Sequence, residues 1–145
     1  MAGAGKTLIL VAHERKLPEL VKLMKSQRHV FEAYRLLATT ETGEVIEREL
    51  GLEVTHLFSG RKGGEIQLCG LVCTNSVRAV YFIRDPENPA FDEPDITPYY
   101  RACDLNNVPL ASNMVTAVAL THWLGRKLQP SGIEARTTEG AALCR

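Results

Sequence analysis

Residues 7–12 read TLILVA, and HERK (13–16) follows at once. An unbroken hydrophobic run of this length is the mark of a strand covered on both faces, since a half-exposed strand would alternate with polar residues. Such a strand requires parallel neighbours and helices above and below. Leu17, Leu20, Val21 and Met24 then recur at i, i+3, i+4 and i+7, which predicts an amphipathic helix with Pro18 in its first turn. The alternation continues outward. Residues 34–39 read as a strand, 43–50 as a short helix stopped by Gly51, 53–58 as a strand, and 66–74 as a helix opened by Gly63 and Gly64. AVYFI (79–83) is a strand, 85–98 a loop with four prolines and five acids, and a helix runs on to about residue 105. A strand over 108–111 and a helix over 115–124, capped by Ser112 or Asn113, complete the pattern. Five strands alternating with five helices predict a doubly wound parallel sheet.

Composition narrows the function classes. The chain has 145 residues, 45% hydrophobic and 23% charged, which fits one globular domain over 1–128 with a C-terminal tail over 129–145. Seventeen basic residues balance seventeen acidic ones, so the basic surplus of a nucleic-acid binder is missing. No apolar run is long enough to span a bilayer, and no signal-peptide core precedes a cleavage site, so a cytoplasmic protein without membrane partners is expected. Cys69, Cys73, Cys103 and Cys144 follow no common metal or redox spacing and read as buried, reduced thiols; no metal site is expected. GAGKT (3–7) resembles the end of a nucleotide-binding phosphate loop, but a strand follows it where that motif needs a helix.

Ligands of doubly wound sheets bind at the carboxyl ends of the strands. There the chain is polar: His13 to Lys16 after the first strand, Thr39 to Gly43 after the second, Ser59 to Glu65 after the third, Asp85 after the fourth. Taken singly, His13 could be a hydrogen-bonded structural histidine, Thr42 a helix cap, and Gly60, Gly63 and Gly64 a turn. Asp85-Pro86 could simply open a turn. Together they put hydroxyls of Thr39, Thr42 and Ser59, and the amides around Gly60, at helix N-termini that favour an anion. Glu65 stands beside that cradle as a candidate base for a carbon acid.

Five ordered stretches carry a family resemblance: VAHE (11–14), ATTETG (38–43), SGRKGGEIQ (59–67), DPENPAFDEPD (85–95) and PLASN (109–113). They resemble the strand-to-helix openings of methylglyoxal synthase. The resemblance implies a flavodoxin-like three-layer α/β sandwich on a mostly parallel five-stranded sheet, assembled as a homohexamer. It implies conversion of dihydroxyacetone phosphate to methylglyoxal and inorganic phosphate, by proton abstraction and phosphate elimination without cofactor. By motif, Glu65 matches the catalytic base, with Asp85 and Asp95 as supporting carboxylates. His13, Lys16, Thr39, Thr40, Glu41, Thr42, Ser59, Gly60, Asp92 and Arg101 match substrate- and phosphate-binding positions.

The chain departs from the family pattern at the chemical centre. The base is a glutamate instead of an aspartate, Asp92 replaces a histidine, and Glu41 replaces a threonine of the phosphate loop. The family's first-loop lysine falls on Leu17, with Lys16 one place early, while Arg61 and Lys62 add charge beside Ser59. An acid at 4 Å from a phosphate charge costs about 4 kcal/mol at an effective dielectric of 20. These departures define an alternative, a catalytically impaired domain that binds a phosphorylated metabolite or another anion in a regulatory role.

Overall fold

The computed structural model describes residues 6–88 and 95–129. The strands are β1 (Thr7–Ala12), β2 (Arg35–Thr39), β3 (Val54–Leu57), β4 (Val77–Ile83) and β5 (Leu110–Ala111). The helices are α1 (Leu17–Ser26), α2 (Arg28–Glu32), α3 (Thr40–Leu50), α4 (Gly64–Val72), α5 (Thr97–Leu105) and α6 (Met114–Leu128). Single 3-10 turns at Glu14–Lys16 and Gly60–Lys62 lead into α1 and α4. All strand pairs are parallel, in the order β3-β2-β1-β4-β5, so the order reverses between β1 and β4.

Period-two alternation along β1 divides the core. Leu8 and Leu10 face a layer made by α1, α2, α3 and α6, through Leu20, Phe31, Ile46 and Leu124 among others. Ile9 and Val11 face α4 and α5, through Leu68, Val72, Tyr99 and Cys103. Leu8, Ile9 and Leu10 have no exposed surface, which explains why the run reads as continuous. Tyr81 of β4 places its hydroxyl 2.8 Å from that of Thr121 on α6, so both of these buried hydroxyls are paired. The three-layer flavodoxin-like sandwich with a parallel five-stranded sheet is as expected.

Several element boundaries differ from the sequence expectation, for local reasons. The third helix starts at Thr40, not at residue 43, because two threonines tie its first turn to the sheet. Thr40 donates to the Leu57 carbonyl at 2.9 Å, and Thr42 accepts the Ala12 N–H at 3.2 Å. Thr42 is therefore a buried strut inside the first turn, not a cap. The helix α2, with Val30 and Phe31 buried, had no counterpart in the sequence reading; five residues are too few for a periodic signal. Of the two candidate caps for α6, Asn113 is the one used, its side chain accepting the Thr116 N–H at 3.0 Å. Gly51 stops α3 with φ 62° as expected. Among the described cysteines, all free, only Cys103 is buried; Cys69 is half-buried and Cys73 exposed. Burial pushes the Cys103 thiol up to about 11, which suits a packing role and not a nucleophile. Gly3, Gly5, Asp92, residues 130–145 and with them Cys144 lie outside the described residues, while Thr7 opens β1 and so places a strand after GAGKT.

Gly64 is fixed by contact. A Cβ there would sit 2.1 Å from the Phe58 carbonyl oxygen, so α4 packs against the end of β3 only with a glycine at its start. Gly64→Ala is expected to lower stability by about 1–3 kcal/mol. Urea denaturation checks this, and an unchanged midpoint would contradict the packing described.

Candidate active site

At the reversal in strand order, the carboxyl ends of four strands and the start of α5 enclose a cleft of about 560 Å³. That volume suits a small metabolite. The first loop contributes His13 and Glu14 to its wall, and the second Thr39, Glu41 and Glu44. The third contributes Gly60, Arg61 and Glu65, while Leu17, Leu68, Phe82 and Tyr99 give it an apolar side. Two other concavities, of about 510 and 530 Å³, lie between α5 and α6 and beside the amino ends of β2 and β3. Neither gathers residues from the strand-end loops.

His13 is positioned by the backbone on both sides. Its N–H donates to the Ile83 carbonyl at 2.9 Å, and its Nδ1 accepts the Asp85 N–H at 2.9 Å. Because Nδ1 accepts, the neutral ring carries its proton on Nε2. Phe82 meets the imidazole edge-on at 6.2 Å and stacks on Tyr99 at 5.1 Å, a floor that limits how the ring can turn. No local signal in the sequence marks Tyr99 as part of a site. Tyr99 is both core and cleft wall, and only the proximity of Phe82 across the fold shows it.

Three helical starts converge here without a side-chain cap: Thr39 before α3, Ser59 before the turn at Gly60, and Gly63 before α4. First-turn N–H groups without a partner can meet a ligand anion, although those of Lys62 and Gly64 already donate to the Ser59 carbonyl at 2.9 and 3.0 Å. Thr39 is buried and donates to the Thr42 hydroxyl at 3.2 Å. Thr42, committed to Ala12 and Thr39, thus holds the loop from behind and is not part of the wall. Glu41 is exposed at the rim.

Glu65 is the most informative residue. It sits in the first turn of α4 and lines the cleft, and its Oε2 is buried without a hydrogen-bond partner. A buried carboxylate oxygen left unpaired is costly, and natural structures retain such groups chiefly where something else meets them.

The remaining expected residues stand around this centre. Asp85 is buried, its Oδ2 accepting the Asn88 amide at 3.0 Å and its Oδ1 the Glu87 N–H at 3.2 Å. Burial pushes this carboxyl up, but those two hydrogen bonds and the charges of Lys16 and Arg15 outweigh it and hold the group below the usual carboxylate range. Asp85 touches the cleft through His13, by way of its backbone. Asp95 is exposed and accepts the Thr97 N–H at 2.9 Å and hydroxyl at 2.8 Å, a local turn at the entry to α5. Lys16 pairs with Glu19 at 3.4 Å, and Arg101 is exposed on α5; neither belongs to the wall.

A doubly wound α/β domain with a metabolite-sized cleft at its switch in strand order belongs to the class that binds or converts small molecules. Comparison makes the class particular. Over 117 residues the chain is 39% identical to the methylglyoxal synthase of Moorella thermoacetica, covering 81% of this chain and 91% of that one. Over 119 residues it is 40% identical to the methylglyoxal synthase of Thermus thermophilus, covering 82% and 94%. The crystal structure of methylglyoxal synthase from Elizabethkingia anophelis NUHP1 superposes with a TM-score of 0.75 at 32% identity, covering 81% of this chain and 78% of that one. No protein-family model matches the chain. The chain belongs to the methylglyoxal synthase family.

The two hydrogen bonds from Thr97 hold the Asp95 carboxyl below its usual range, so Asp95 supports the fold when ionised. This contribution is present above the unfolded value near 3.9 and is lost as pH falls through the lower folded value. Asp95→Ala should lower the melting temperature at pH 7, and the gap to wild type should close as pH falls below the ordinary carboxylate range. A gap that persists undiminished in acid would exclude an ionic contribution from Asp95.

Proposed function

We propose that the protein is a lyase that converts dihydroxyacetone phosphate into methylglyoxal and inorganic phosphate. The observation that carries this reading is the buried, unpartnered Oε2 of Glu65 in the cleft wall. Glu65 takes a proton from the hydroxymethyl carbon, and the C–H electrons form the enediolate double bond. His13 donates from Nε2 to the oxygen on which charge develops, its other nitrogen being held by the Asp85 N–H. Neutral imidazole suits this role, since it lends a hydrogen bond without delivering a full charge. The central oxygen takes a proton and the terminal hydroxyl gives one up; the electrons of that O–H bond form the aldehyde, the double bond shifts to the phosphate-bearing carbon, and the C–O bond breaks to expel phosphate. The resulting enol takes a proton at its terminal carbon, loses its O–H proton and becomes methylglyoxal. Thr39 and the uncapped starts at Ser59 and Gly60 would receive the phosphate.

One observation favours a second reading. Glu14, Glu41 and Glu44 share the wall with Glu65 and repel a phosphate dianion. On that reading the cleft binds an anion without turning it over.

A colorimetric assay for methylglyoxal with dihydroxyacetone phosphate separates the two. Wild type should turn over, and Glu65→Gln should cut the rate by at least about 100-fold, because it preserves shape but removes the base. Phosphate affinity should hold or rise in the same variant, since a negative charge has gone. Equal rates in the two proteins would remove Glu65 from the chemistry.

We further propose a homo-oligomer, a hexamer as the family resemblance implies. Phe58, Ile66 and Val115 are 61%, 73% and 81% exposed, apolar side chains that such an assembly would cover. Light scattering should return about six times the chain mass. A stable monomer at micromolar concentration would contradict this assembly.

A further inference from the structure

We infer that Arg61 is the phosphate clamp of this protein, the side chain that neutralises and orients the phosphoryl group in the cleft. The inference rests on the lyase reading of the same site, but it makes a separate claim. Among the described residues, Arg61 is the only lysine or arginine in the cleft wall, against the carboxylates of Glu14, Glu41, Glu44 and Glu65. It lies in the 3-10 turn that begins at Gly60, beside Ser59 and its uncapped amides. Arg61 makes no ion pair or side-chain hydrogen bond with any described residue, so its guanidinium is uncommitted.

The first loop cannot supply this charge. Leu17 lines the cleft there but is apolar and only 6% exposed. Arg15 and Lys16 lie outside the wall and place their charge on Asp85, and Lys16 pairs with Glu19. A phosphate ester carries close to two negative charges at neutral pH, and uncapped amides alone offer partial charges only. A planar guanidinium can grip two phosphoryl oxygens at once, which a lysine cannot. Placing the cation in the third loop also puts it on the segment that carries Glu65, three residues before the base's helix begins at Gly64. The phosphate grip and the base then sit four residues apart on adjoining turns, which relates the reacting carbon to the carboxylate.

The test is titration of the whole protein with inorganic phosphate by calorimetry, together with steady-state kinetics on dihydroxyacetone phosphate. Arg61→Gln should weaken phosphate binding roughly 10- to 100-fold and raise KM by a similar factor. Arg61→Lys should fall between wild type and Arg61→Gln, since it keeps the charge and loses the fork. Lys62→Gln, one residue along, should stay within about twofold of wild type, because it alters the field without altering the grip. Arg61 is exposed, so the melting temperature of its variants should match wild type and exclude misfolding. Unchanged phosphate affinity in Arg61→Gln would overturn the inference, as would an equal loss in Lys62→Gln or a greater one in Lys16→Gln. Phosphate binding that depends on Arg61 in a protein that makes no methylglyoxal would uphold the clamp and refute the lyase. Turnover with a KM indifferent to Arg61 would do the reverse.

Discussion

Two hydrogen bonds join the ends of β1 and β4 beyond the last ladder pair: His13 N–H to the Ile83 carbonyl, and Asp85 N–H to His13 Nδ1, each 2.9 Å. They lie where the strand order reverses, and there the segments that follow β1 and β4 leave for opposite faces of the sheet, α1 to one and α5 to the other. The cleft exists because these segments part. The histidine keeps one tautomer because the backbone of the parting strand supplies a donor and never an acceptor. Asn88 and the Glu87 N–H hold the Asp85 carboxylate, and so secure the backbone from which that donor comes. The geometry of the cleft at His13 is thus anchored in main chain.

A similar economy governs the second and third loops. Thr40 and Thr42 spend their hydroxyls on Leu57 and Ala12, tying α3 to both neighbouring strands. Gly64 admits the Phe58 carbonyl into contact with α4. Both devices bring a helix start close to a strand end, and they do so without capping it. By contrast α6, which contributes nothing to the cleft wall, is closed by Asn113 and Thr116 in a reciprocal box.

The fold was legible in the sequence because its signals are local. A run such as TLILVA, the spacing of Leu17, Leu20 and Met24, and the stop at Gly51 each report on a few neighbouring residues. What escaped was either too short for a period, as with α2, or decided by a distant partner. Thr42 looks like a cap until Ala12, thirty residues away, is seen to donate to it. Tyr99 looks like core until Phe82 stacks on it. The strand order was not readable, since parallel neighbours are chosen by packing and not by adjacent residues. The cleft was legible in outline: His13, Thr39, Gly60 and Glu65 do meet, whereas Lys16, Asp95 and Arg101 stand outside its wall. Spacing along a motif says which loop a residue belongs to, but ion pairs such as Lys16–Glu19 settle where its side chain goes.

The central claim is proton abstraction from carbon followed by loss of phosphate, and the product itself records that order. In deuterium oxide, the enol left after phosphate departs must take its last proton from solvent. Proton and phosphorus magnetic resonance of wild-type protein with dihydroxyacetone phosphate should show methylglyoxal with one deuterium in its methyl group, and inorganic phosphate in equal amount. Phosphate released without the dicarbonyl, or a substrate left intact by a protein that binds phosphate, would contradict the account.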